Sequence, residues 1–130
     1  MARRRALPAT PWVIDSSGWL EVFDGGARAA LFESAVAAPQ ELVVPVITVY
    51  EVYKYLARVK GAESATRAVL YMQRGRLVDI DSALALAAAG NGLPMADSLI
   101  YATSQARGAI LWTQDAHFKA LPGVKFFTKE

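Results

Sequence analysis

The 130-residue chain predicts an α/β fold: three layers, α/β/α, around a central, mainly parallel sheet of about five strands. Three observations lead there. Short runs rich in β-branched residues recur along the chain, as in Leu42-Val43-Val44-Pro45-Val46-Ile47 and Ala109-Ile110-Leu111-Trp112-Thr113. Helix-length segments separate them, so successive strands need right-handed crossovers and pair in parallel. The runs are apolar throughout rather than alternating, as strands buried on both faces are.

Residues 1–11 read as a flexible basic arm, carrying Arg3-Arg4-Arg5 and closing on Pro8-Ala9-Thr10-Pro11; residues 12–130 read as one domain. Trp12 to Asp15 is a short buried strand. Ser16 or Ser17 caps a helix over roughly Gly18 to Phe23, which Gly25-Gly26 breaks. A second helix, about Arg28 to Ala37, stops before Pro39. Leu42 to Ile47 is the next strand, bent or ended early by Pro45. Thr48 starts a helix that runs to about Lys60 and stops at Gly61; residues 62–74 form another, with Gly75 beyond it. Arg76 to Ile80 is the third strand. Asp81 or Ser82 caps an Ala-rich helix over 83–89, and Gly90-Asn91-Gly92 turns the chain. Pro94 opens a helix to about Arg107, with Gly108 past its end. Ala109 to Thr113 is the fourth strand and Val124 to Thr128 the fifth.

The composition narrows the chemistry. With no Cys there are no disulfides, thiolate nucleophiles or Cys-based zinc sites. His117 is the single histidine, which excludes mechanisms that need a pair. Carboxylates, hydroxyls and a bound metal remain. No apolar stretch approaches the ~20 residues needed to span a bilayer, and Pro8 and Pro11 interrupt any signal-peptide core after the arginines, so a cytoplasmic, membrane-free protein is expected. The net charge of +2 suggests nucleic acid, but taking Arg3, Arg4 and Arg5 from the 14 basic residues leaves 11 against 12 acidic ones. Binding to a polyanion then needs a local basic patch, the arm, or metal ions.

Four acids fall at or near the changes of structure: Asp15, Glu51, Asp97 and Asp115. Parallel sheets gather ligands beyond the carboxyl ends of their strands, where Asp15 and Asp115 belong. Each acid also has a purely local role. Thr48-x-x-Glu51 fits a capping box, Asp97 suits the dipole of a first helical turn, and Asp15 and Asp115 suit N-caps. Convergence would change the energetics, because two carboxylates ~5 Å apart repel by about 3 kcal/mol at an effective dielectric near 20. Such a cluster either holds protons at neutral pH or takes one or two Mg²⁺ or Mn²⁺ ions, which prefer oxygen ligands.

Four strings, in order, resemble the PIN-domain family, and within it the VapC toxins of toxin–antitoxin pairs. They are Val13-Ile14-Asp15-Ser16-Ser17, Pro45-x-Ile47-Thr48-x-x-Glu51, Gly92-Leu93-Pro94-Met95-Ala96-Asp97-Ser98-Leu99-Ile100 and Trp112-Thr113-Gln114-Asp115-x-His117-Phe118. The resemblance implies an endoribonuclease that uses Mg²⁺ or Mn²⁺ and leaves 5′-phosphate and 3′-hydroxyl ends. It maps metal-site roles onto Asp15, Glu51, Asp97 and Asp115, a hydroxyl role onto Thr113 and a small polar role onto Ser17. It implies an RNA substrate and a VapB-type antitoxin as partner; a homodimer is expected separately, from the domain's apolar content. Asp15 and Asp97 would be direct metal ligands; Glu51 and Asp115 would bind directly or through water. Residues 54–91 match nothing distinctive, so RNA choice is not transferred.

Other features carry two readings each. Glu51, Lys54, Tyr55 and Arg58 share one helix face, either as a surface Glu–Lys pair or as a stripe guiding phosphate to the site. His117 is expected to pack or cap, with a supporting role beside Asp115 as the second possibility. Asp81 is expected to cap and Asp79 to lie at the surface. Trp19, Leu20, Val22 and Phe23 form one apolar set and Tyr50, Tyr53, Leu56 and Val59 another; both read as core, with part available to a homodimer or antitoxin. A non-catalytic module that binds RNA or a partner is the alternative function. A dehalogenase-like phosphatase would need Asp-x-Asp where Asp15 is followed by Ser16 and Ser17, and a phospho-receiver would need an acidic pair that does not precede Asp15.

Overall fold

The computed structural model describes residues 10–128, so residues 1–9 of the expected basic arm lie outside the described residues. Five parallel strands form one sheet in the order β3-β2-β1-β4-β5. They are β1 (Trp12–Ile14), β2 (Leu42–Pro45), β3 (Arg76–Val78), β4 (Ile110–Thr113) and β5 (Val124–Phe126). The helices are α1 (Ser16–Asp24), α2 (Ala29–Val36), α3 (Val46–Lys60), α4 (Ala62–Met72), α5 (Ser82–Ala89) and α6 (Met95–Ala106). Short 3₁₀ turns cover Pro39–Glu41 and Ala116–Phe118. The sheet is all-parallel, and the fold class matches expectation.

The apolar runs work as two-faced strands. Val13, Val43 and Leu111 point into one core with Ile100 of α6 and Phe118. Their chain neighbours Ile14, Val44 and Trp112 point into the other, with Trp19, Phe32, Val52, Leu56 and Met72 from α1 to α4. This is the period of two along a pleated strand, with helices covering both sides. Chain order runs outward from β1 in both directions, so the crevice between β1 and β4 is the topological switch point at which such sheets bind ligands.

Several boundaries differ from expectation. β2 ends at Pro45 and α3 starts at Val46, two residues before Thr48. Proline fixes its own φ near the helical entrance and donates no N–H, so it serves as the last extended residue. β3 stops at Val78 rather than Ile80. Of the candidate caps of α1, Asp15 takes the role rather than Ser16 or Ser17. The α3 apolar set divides: Leu56 is buried, whereas Tyr50, Tyr53 and Val59 are exposed. The α1 set divides as well, with Trp19 fully buried and Leu20, Val22 and Phe23 packing partly exposed against it.

Candidate active site

Asp15 follows β1 directly and has an extended backbone (φ −72°, ψ 170°), which aims its carboxylate back over the first turn of α1. Oδ1 accepts the Gly18 N–H at 2.9 Å. Ser17 Oγ donates to the same carboxylate at 3.0 Å. Thr113 Oγ1 donates to Oδ2 at 2.6 Å from the end of β4. The residue is only 3% exposed, and among the described residues it has no ion-pair partner. Burial pushes its carboxyl up to about 6; the Thr113, Gly18 and Ser17 bonds pull it down, and the nearby Asp115 charge pushes it further up.

Asp115 lies two residues past the end of β4, with Gln114 between. It caps the 3₁₀ turn, accepting the His117 N–H at 2.9 Å, and its own N–H donates to Thr113 Oγ1 at 2.9 Å. The tight turn brings the His117 ring back over the site. Nδ1 lies 2.7 Å from Asp97 Oδ2 and 3.4 Å from Asp115 Oδ1. Asp97 reaches this point from the first turn of α6. Its carboxyl is raised above the ordinary value, because burial and the Asp115 charge outweigh the His117 hydrogen bond. The His117 ring is raised too, chiefly by that bond to Asp97.

Glu51 comes from α3. Because that helix begins at Val46, Thr48 lies inside it and no capping box forms; Thr48 Oγ1 donates instead to the Pro45 carbonyl at 2.7 Å. Glu51 Oε1 accepts from Ser16 Oγ at 2.5 Å, next in sequence to Asp15. No Glu51–Lys54 ion pair forms among the described residues; Lys54 lies over the Tyr50 ring and Arg58 over the Tyr55 ring.

The fold therefore gathers the expected residues unevenly. Asp97, Asp115 and His117 present ligand atoms that all lie within 4.8 Å of one another. Asp15 joins them through Thr113, and Glu51 borders Asp15 through Ser16. His117 is neither packed nor a cap: its side chain is 57% exposed and bonded to Asp97. Asp81 caps α5 and Asp79 is exposed, as expected. Sequence reasoning missed Gln114, which is 5% exposed. Its Oε1 accepts from Arg28 Nε at 2.5 Å and its Nε2 donates to Glu21 at 3.1 Å. Arg28 also donates to the Phe127 and Thr128 carbonyls, pinning the segment after β5. These partners lie 86 to 100 positions from Arg28, so no local pattern announces them.

The donor set suits a hard divalent cation. Carboxylate oxygens dominate, one imidazole accompanies them, and among the described residues the most buried carboxylate has no cationic partner.

The PIN-domain family model matches residues 12–124, and the chain belongs to that family. No curated protein shows significant sequence similarity to it. Among solved structures, it is similar to a toxin–antitoxin complex from Klebsiella pneumoniae (21% identity, TM-score 0.74, covering 88% of this chain and 95% of that one). It is also similar to a Mycobacterium tuberculosis VapC toxin described as cleaving the sarcin-ricin loop (18%, 0.70, 85% and 94%). A third is DNA-bound VapBC from Salmonella typhimurium (15%, 0.70, 92% and 98%). At these identities the likeness is one of fold. Among the described residues, no helix is long and apolar enough to cross a membrane.

Proposed function

We propose that this PIN-domain protein is a Mg²⁺- or Mn²⁺-dependent endoribonuclease, acting in the cytoplasm as the toxin of a VapBC-type pair. The observation that carries the reading is the buried Asp15 carboxylate, held by three donors with no cationic partner among the described residues, one hydroxyl away from the Asp115 N–H. The toxin and VapBC descriptions of its structural relatives support the same class.

In this reading Asp15 and Asp97 hold the metal directly, and Glu51 and Asp115 hold it directly or through water. When bound, the ion supplies Lewis acidity, polarising a phosphoryl oxygen and acidifying water. The chain's own groups aim the carboxylates and offset part of the cost of burying their charge. Thr113, Ser17 and the Gly18 N–H donate to Asp15, which favours its charged form; Ser16 orients Glu51, and His117 orients Asp97. The partner is a VapB-type antitoxin. A second copy packs on the exposed Tyr50–Tyr53 face of α3, 57% and 41% exposed at those two residues. Sedimentation at several concentrations tests the dimer, and a strict monomer removes it.

The test of the activity is RNA cleavage with Mn²⁺ and with EDTA. Asp97→Asn is expected to fall to the level seen in EDTA. A folded Asp97→Asn protein that cleaves at the parent rate refutes the assignment, and RNA binding without metal-dependent cleavage points instead to a binding module.

A further inference from the structure

Beside the acids, at the β5 edge of the sheet, lies a groove of about 450 Å³ bordered by Ser17, Gln114, Asp115, Lys119, Phe126 and Thr128. We propose that this groove is a nucleotide subsite, holding the base and phosphate of a single-stranded RNA residue next to the bond cut at the acids. The inference rests on the ribonuclease reading above.

The groove is continuous with the acids. Asp115 is a wall of the groove and a member of the acidic trio. Phe126 on β5 is the register partner of Thr113 on β4, the residue bonded to Asp15. A chain lying in the groove therefore runs directly onto the carboxyl ends of β4 and β1.

The groove's border also carries the groups a nucleotide needs. A polyanion is repelled by clustered carboxylates and needs a cation close by. Among the described residues, Lys119 is the one cation bordering the groove; it is exposed, and its ammonium lies 5.9 Å from the centre of the Phe126 ring. Phe126 is half-buried, so its ring is anchored while part of it stays open to a base. A groove of this size falls within the range of ordinary ligand sites. On the other side of the acids, exposed Lys54 sits one helical turn beyond Glu51. Cations thus flank the carboxylates, and the strand's path runs from the β5 edge towards α3.

The groove's border holds little that would select one base over another. The Gln114 amide, the group best suited to reading a base edge, is already bonded on both sides by Arg28 and Glu21. Ser17 is bonded to Asp15 and Asp115 belongs to the acidic trio, so besides the Thr128 hydroxyl the main contacts left are the Lys119 ammonium and the Phe126 face, and both tolerate any base. The subsite fixes the strand's position without selecting its sequence.

Binding of a short, labelled single-stranded RNA of mixed sequence, in the cleavage-deficient Asp97→Asn background, tests this. Lys119→Ala is expected to weaken binding roughly 3- to 10-fold and to reduce the salt slope by about one, with Lys119→Arg restoring both. Phe126→Leu is expected to weaken binding about 5-fold or more, with Phe126→Tyr restoring it. The Phe126 effect should vanish on an oligonucleotide of the same length lacking bases. If both variants keep the parental affinity and salt slope while the parent protein cleaves RNA in Mn²⁺, the subsite is wrong and the nuclease reading stands. If binding depends on Lys119 and Phe126 but the parent cleaves no RNA in any divalent ion, the nuclease reading falls and the groove stands as an RNA site.

Discussion

Thr113 Oγ1 lies 2.6 Å from Asp15 Oδ2, a bond between residues 98 positions apart, and the same oxygen accepts the Asp115 N–H at 2.9 Å. One hydroxyl joins the carboxyl ends of β1 and β4. Thr113→Val keeps the shape and removes the donor. Asp15 then loses its strongest downward influence, so its carboxyl rises further above about 6. The pH midpoint of RNA cleavage is expected to move upward, and leaving the Asp115 N–H unpaired costs about 1–3 kcal/mol in denaturant melts. Thr113→Ser should behave like the parent. A Thr113→Val profile that overlays the parental one rejects this role.

The titrating groups also set how metal-free stability varies with pH. Asp15 has a folded value near 6 against an ordinary 3.8, so the folded state binds the extra proton between those values. Stability therefore falls as pH rises from about 3.8 to 6, by about 3 kcal/mol for this residue. Asp97, also raised, acts in the same direction. His117, raised above 6.5, contributes stability below that value and loses it as pH climbs through its folded value. Thermal melts in EDTA should show a more stable protein at pH 5 than at pH 8, and Asp15→Asn should stabilise the pH 8 form while removing cleavage. A metal-free Tm that rises towards pH 8 contradicts the assignment.

Metal binding should release a proton. His117 Nδ1 lies 2.7 Å from Asp97, and Asp97 raises the ring's pKa, so the protonated ring competes with a cation for the carboxylate that this reading gives to the metal. Calorimetric titration of Mn²⁺ in buffers of different ionisation enthalpy is expected to report proton release near the His117 titration, and His117→Gln to remove most of it. The same substitution should reduce cleavage by roughly 10- to 100-fold, as is usual when a group that orients a ligand is lost. Identical apparent enthalpies in all buffers would exclude competition between proton and metal.

Gly18 makes a stability prediction independent of activity. A Cβ there would sit 2.6 Å from Ile14 Cγ2 and 2.9 Å from Phe32 Cε1, in a fully packed part of the core. Gly18→Ala should destabilise by about 1–3 kcal/mol and, by shifting the N–H that Asp15 accepts, should also weaken Mn²⁺ binding. A variant melting with the parent would mean that α1 moves freely against β1.

Much of this was legible in the chain because the deciding interactions are local. The apolar, β-branched runs at 12–15, 42–47 and 109–113 specify strands buried on both faces, and glycine and proline mark where the intervening helices stop. Asp15 and Asp115 could be placed at strand ends because a cap and its N–H partners lie within three residues of each other. The reading failed where a hydroxyl or amide had a choice of partner. Thr48 and Glu51 carry the capping-box pattern, yet the helix starts at Val46, Thr48 bonds the Pro45 carbonyl, and Glu51 takes Ser16 from 35 positions away. His117 looked like a packing residue until α6 brought Asp97 to it, and Arg28, Gln114 and Glu21 show no local signal of their network. Backbone propensity depends on neighbours a few residues off, so it can be read along the chain. A polar side chain bonds whatever lies within about 3 Å once the layers are packed, and that distance exists only after folding.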